Sequence, residues 1–106
     1  MKDYIRELKV VGVDLDGLLC SGDSFTPEDC LKAKPNEYNI GLVNKLQMTN
    51  FVVVYTARRD ELIPKTLEWL RRNNVRYQAI SNIKTPFDYY WDDRSIDAEG
   101  IERMIK

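Results

Sequence analysis

Apolar residues in this chain gather in short continuous runs rather than in strict alternation. Lys9 to Val13 is Val-rich and unbroken, as expected of a strand buried on both faces. Phe51 to Tyr55, "FVVVY", has the same character and is the clearest strand in the chain. Val75 to Ile80 and Phe87 to Trp91, "FDYYW", read as a third and a fourth strand. Helical spacing fills the gaps. Ile40, Val43 and Leu46 predict a helix over about Ile40 to Thr49. A second helix is expected from about Asp60 to Asn74, with Asp60 as N-cap and Ile63, Leu67 and Leu70 as its apolar stripe. Pro64 falls in its first turn, where proline is tolerated. Leu18 to Asn39 reads as irregular, and Asp97 to Lys106 as a short amphipathic helix with Ile101, Met104 and Ile105 inward.

Strand, helix, strand, helix, strand, strand implies a parallel sheet with right-handed crossovers. In such sheets functional groups collect at the carboxyl ends of the strands. The polar residues stand there. Asp14 and Asp16 follow the first strand, Thr56 the second, Ser81 to Lys84 the third, and Asp92 and Asp93 the fourth. With 106 residues the chain predicts one domain, residues 1–106, with a single core.

Composition narrows the chemistry. Seventeen acidic residues against sixteen basic ones leave a net charge of -1, which provides no electrostatic footprint for nucleic acid or an anionic membrane. No apolar run approaches the roughly 18 residues of a membrane span, and the charged start predicts no secretory signal, so the expected setting is the cytoplasm. Cys20 and Cys30 form no CxxC, and are expected as small packed residues in a reducing compartment. The chain has no histidine, which removes Ser-His-Asp triads, Cys-His dyads and histidine metal sites. Acid–base work then falls to carboxylates, Lys, Tyr or Cys, and any metal is a hard ion held by oxygen. Neither a GxGxxG nor a GxxxxGK[ST] run is present.

The pair Asp14 and Asp16 in "VVGVDLDGLLC" poses an electrostatic problem. On an extended segment residues i and i+2 share a face ~6.6 Å apart. Two ionised carboxylates at that spacing repel by about 2.5 kcal/mol at an effective dielectric near 20. A divalent cation relieves this, or one carboxyl keeps its proton. Both solutions suit phosphoryl transfer, with one carboxylate attacking phosphorus and its neighbour moving a proton. Taken alone, "DLDG" and "WDDR" are ordinary turn sequences, Thr56 an ordinary N-cap and Lys84 an ordinary surface lysine. Their conjunction at four strand ends is what carries weight.

With these residues in place, the sequence resembles the haloacid dehalogenase (HAD) superfamily over nearly its whole length. "VVGVDLDG" resembles the first motif, "VVVYTAR" the second, Lys84 the third-motif lysine, and "YYWDDR" the DD form of the fourth. "YTARRD", Thr66 with "EWL", "VRYQAI", "KTP" and "WDDRSID" resemble small phosphatase-like members of capsule-polysaccharide loci. The resemblance implies an α/β fold, a Rossmannoid three-layer sandwich with a mainly parallel sheet and no cap domain. It implies a magnesium-dependent phosphatase acting through an aspartyl-phosphate. Asp14 would be nucleophile and metal ligand, and Asp16 the general acid–base with its backbone carbonyl on the metal. Thr56 and Lys84 would hold the phosphoryl oxygens, and Asp92 and Asp93 would complete the magnesium site. Arg58 would touch the substrate, or else form a surface ion pair.

Leu18 stands where a Thr or Val often follows the first motif, and Ile83-Lys84-Thr85-Pro86 replaces the usual Gly-Lys-Pro. The spans from Gly17 to Ile40 and from Thr56 to Lys84 hold no cap beyond a loop. An open site suits a bulky or macromolecular phosphate, or a small phosphorylated molecule covered by a second subunit of a homo-oligomer. Two other functions share the motifs: an inactive HAD-fold interaction domain, and a receiver-like phosphoacceptor, in which the order of the acidic residues would be reversed.

Overall fold

The structure is a computed structural model and describes residues 9–21, 26–83, 86–92 and 105. Its centre is a four-stranded parallel sheet. The chain runs β1 (Val10–Asp14), β2 (Cys20–Ser21), α1 (Pro27–Lys32), β3 (Lys34–Pro35), α2 (Glu37–Leu46) and β4 (Phe51–Tyr55). A 3-10 turn (Asp60–Leu62), α3 (Ile63–Arg72), β5 (Ala79–Ser81) and β6 (Tyr89–Trp91) follow. The sheet order is β5-β4-β1-β6, and all three pairings are parallel. β2 and β3 form a separate antiparallel arm.

The expected α/β class with a mainly parallel sheet is what the chain adopts. Val11, Val13, Val52, Val54 and Trp91 lie in register on one face of the sheet. They merge with Ile40, Val43, Leu46, Trp69 and Leu70 into one core, against which Ile105 also packs. Alternation sends Gly12, Val53 and Tyr90 to the other face. There Phe87 stacks on Tyr90 at 5.6 Å between ring centroids, and Tyr55 meets Tyr90 edge-on at 6.0 Å. Asp14 shares the parity of Gly12 and pairs with Tyr55, so it leaves the sheet at the rim of this aromatic face.

Several boundaries differ from expectation. The span from Leu18 to Asn39 is not irregular throughout: it holds α1 and both strands of the arm. Thr26 caps α1, accepting from the Asp29 N–H at 3.2 Å while the Asp29 carboxylate accepts from the Thr26 N–H at 3.1 Å. α2 begins three residues before Ile40, because Asn36 caps it by accepting from the Asn39 N–H. Asp60 is not an N-cap. It lies in the 3-10 turn, whose own cap, Arg59, makes no side-chain capping bond. In α3 the expected Leu70 is fully buried, but it shares the buried stripe with Thr66 and Trp69, while Leu67 is 38% exposed. β5 shares only Ala79 and Ile80 with the predicted third strand, Val75 to Ile80, and β6 starts two residues late, at Tyr89. Of the expected C-terminal helix only Ile105 falls among the described residues.

Gly12 allows a close approach to the sheet. A Cβ there would lie 2.6 Å from the Phe87 ring. Gly12→Ala is therefore expected to destabilise the fold by about 1–3 kcal/mol through overpacking. Adding Phe87→Leu should recover part of the loss. Urea midpoints of the single and double variants check this; additive losses would show that the ring is not what meets the new methyl.

Candidate functional site

The first carboxylate pair does not lie on one extended strand. β1 ends at Asp14, and the chain turns at once. The Leu15 carbonyl accepts from the N–H groups of Leu18 (3.3 Å), Leu19 (2.9 Å) and Cys20 (3.2 Å). Gly17 sits inside this turn at φ 90, a conformation that strains residues with a Cβ. The expected i, i+2 face is thereby broken, and Asp16 is swung toward the end of β4.

There it meets Arg58. The guanidinium Nη2 donates to Asp16 Oδ1 at 2.7 Å, and Nε donates to Oδ2 at 3.2 Å. The Thr56 hydroxyl donates to Oδ2 at 3.3 Å and accepts from the Arg58 N–H at 3.1 Å. On its far side Arg58 Nη1 donates to Thr66 Oγ1 at 2.8 Å, and the Thr66 hydroxyl donates to the Leu62 carbonyl at 2.8 Å. The Arg58 side chain is only 5% exposed, whereas that of Asp16 is 37% exposed. This corrects the sequence reading of Arg58. The ion pair it forms is buried rather than at the surface, and its guanidinium is engaged by Asp16 and Thr66. Its positive charge, 2.7 Å from Asp16 Oδ1, offsets part of the repulsion expected between neighbouring carboxylates. Burial alone would lower the Arg58 pKa; the hydrogen bonds and charge of Asp16 outweigh it and raise the value above its ordinary one.

Strand registers bring the remaining groups to the same edge. Asp14 pairs with Tyr55, the Leu15 N–H reaches the Tyr55 carbonyl at 3.0 Å, and the Thr56 N–H reaches the Ser81 carbonyl at 3.0 Å. Val13 pairs with Trp91, so Asp14 and Asp92 step off adjacent strand ends, spaced roughly 4.8 Å apart in a sheet. Asp14 and Asp92 are both half-buried. Lys84 and Asp93 lie outside the described residues.

The oxygen donors at this edge are the carboxylates of Asp14, Asp16 and Asp92, backbone carbonyls and the Thr56 hydroxyl. Such donors suit a hard divalent ion that keeps part of its water shell. Among the described residues no cluster of three acidic or thiol side chains stands close enough to hold a metal by itself. The Cys20 sulfur lies 3.7 Å from Arg58 Nη2 and 3.8 Å from Asp16 Oδ1, and burial pushes its thiol pKa up to about 12.

Thr66 and Cys20 were not among the expected site residues. Thr66 carried a usable signal. It lies three and four residues before Trp69 and Leu70, on the buried stripe of α3, and a hydroxyl there needs a partner. Cys20 carried none.

A cleft of about 470 Å³ opens between the turn and the arm, lined by Leu18, Cys20, Lys34, Pro35 and Glu37 among others. A second of about 470 Å³ lies at the end of β5, bounded by Asp60, Ile63, Pro64, Ile80, Ser81 and Asn82. Among the described residues no helix is long and apolar enough to cross a membrane.

No family model matches the chain, and no curated protein matches it. A solved structure from Bacteroides thetaiotaomicron, described as that of a conserved protein coded by locus, is similar to it. The TM-score is 0.66 at 20% identity, with 91% of this chain and 87% of that one covered. The likeness is one of fold.

The buried thiol yields a test by pH. Folding pushes the Cys20 pKa from 9.0 up to about 12, by burial first and by the Asp16 charge second. The unfolded chain gives up this proton near pH 9.0 and the folded chain near 12, so the contribution is complete below 9 and is lost as pH rises toward 12. Tyr77, raised by burial, acts in the same direction. Cys20→Ala should therefore lose stability less steeply with pH in that window, as measured by urea unfolding. Parallel pH slopes for parent and variant would contradict it.

Proposed function

We propose that the chain is a magnesium-dependent phosphatase that hydrolyses a phosphomonoester through an aspartyl-phosphate on Asp14. The finer fold assignment belongs to the same proposal: a HAD-like Rossmannoid sandwich without a cap domain. The observation that supports it most is the separation of the two carboxylates by environment. Asp14 ends the central strand at the sheet edge, while Asp16 is oriented by Thr56 and Arg58 with one side left toward solvent. Two carboxyl groups held in unlike surroundings are what a nucleophile and a proton carrier require.

In this mechanism an Asp14 oxygen attacks phosphorus as the bond to the leaving oxygen breaks. Asp16 delivers a proton to that oxygen. Asp16 then takes a proton from water, whose oxygen attacks the phosphoryl group and frees Asp14 and inorganic phosphate. Asp14, the Asp16 backbone carbonyl and Asp92 would hold magnesium, with Asp93 as the resemblance implies. The ion, when bound, offsets phosphate charge and orients the transferred group. Thr56 and Lys84 would steady the phosphoryl oxygens. Thr56 can do so only by sharing its hydroxyl, which already lies between Asp16 and the Arg58 N–H.

The shallow clefts on either side of the strand ends leave space for a leaving group larger than the phosphate. Substrates of sugar phosphate, nucleotide or bulkier phosphomonoester type fit this reading. A subunit of a homo-oligomer would serve as cover.

Two outcomes follow. Hydrolysis of 4-nitrophenyl phosphate should require magnesium and vanish in Asp14→Asn together with covalent phosphorylation. A full rate in excess chelator would sink the metal assignment, and near-parent turnover by Asp14→Asn would sink the nucleophile. Asp92→Asn should raise the magnesium concentration needed for half-activity. If a magnesium titration of that variant overlays the parent, Asp92 is not a ligand.

A further inference from the structure

We infer that Arg58 and Thr66 are positioning residues that set the aim of the Asp16 carboxyl group during departure of the leaving group. This rests on the phosphatase reading and goes beyond it, since neither residue is needed to touch the substrate. Arg58 is held on every side. Its N–H donates to Thr56 Oγ1, its carbonyl accepts from Asn82 Nδ2 at 3.3 Å, and its guanidinium spans Asp16 and Thr66. A planar fork that meets both oxygens of a carboxylate fixes its rotation as well as its place. Thr66 in turn fixes the plane of the fork, and its own hydroxyl is locked by the bond to the Leu62 carbonyl.

The helix that carries Thr66 has little freedom to drift. Trp69 Nε1 donates to the Ala33 carbonyl at 2.8 Å, and Leu70 is fully buried. Ala33 adjoins β3 of the arm, and the other strand of the arm begins at Cys20, whose sulfur accepts from Arg58. Asp16 is thus aimed by a rigid frame, while its own carboxylate is 37% exposed and open to a ligand. A misplacement of about 1 Å in such a group costs on the order of 100-fold in rate.

The role separates from simple structural support by its dependence on the leaving group. A proton donor matters most when the departing oxygen is strongly basic. With kcat/KM as readout, the comparison reports leaving-group departure and not the later hydrolysis shared by all substrates. Thr66→Val, which preserves shape and removes the hydroxyl, should lower kcat/KM for phenyl phosphate by at least about 10-fold, and for 4-nitrophenyl phosphate by less than about 3-fold. Thr66→Ser should restore both. Arg58→Lys, which keeps charge and loses the fork, should show the same skew, and it carries the comparison if Thr66→Val does not fold.

An equal loss on both esters overturns the positioning role and leaves the phosphatase reading standing. Absence of hydrolysis by the parent on either ester overturns the phosphatase reading and the positioning role with it.

Discussion

The ion pair between Asp16 and Arg58 is the constraint around which the carboxyl edge of the sheet is organised. It joins residues 42 apart in sequence and draws in the turn after β1, the segment after β4, and α3. Removing one partner of a buried pair is costly because the other is left charged and dry. Arg58 is the buried member here, so its dependence on Asp16 is the greater; water reaches Asp16 and screens part of the attraction. The asymmetry has a use. A cation sealed inside can orient a carboxylate that remains in contact with solvent.

The same edge shows how a parallel sheet serves as an alignment device. Four strand ends are fixed relative to one another by backbone bonds, and side chains leaving them inherit that register. Asp14, Tyr55 and Ser81 follow each other across the sheet without needing contacts of their own. The two faces then divide the labour. One is filled with Val and Trp side chains against the helices; the other carries Gly12 beneath Phe87 and the Tyr55–Tyr90 contact.

The positions of β1 and β4 were legible in the sequence because unbroken Val-rich runs have few other uses. The acidic residues at strand ends were legible for the same reason, since each breaks such a run. Helix phase was harder to read. In α3 the apolar count favoured Ile63, Leu67 and Leu70, and of these Leu70 is fully buried while Leu67 is 38% exposed and Thr66 and Trp69 lie inside. α1 was within reach, because Thr26-Pro27-Glu28-Asp29 is a capping box with proline in the first turn. Its shortness and the surrounding polar residues hid it. The partner of Arg58 was not readable at all. An arginine after a strand has the same local signature whether it meets solvent, substrate or a carboxylate 42 residues back, and only the tertiary fold decides. The turn at Gly17 that redirects Asp16 is likewise a long-range outcome, although its Asp-Gly dipeptide was visible.

The order β5-β4-β1-β6 places the earliest strand between two late ones. The Val10 N–H donates to a carboxylate 78 residues further on, at Asp88. During synthesis from the N-terminus, β1 emerges with both of its neighbours still unmade. β4 reaches it first, and the edge with Asp92 closes last. A nascent chain paused before β6 lacks the strand that pairs with β1 at Val11 to Val13, and with it Asp92 beside Asp14. The carboxyl edge of the sheet therefore takes its final form only once β6 has joined β1.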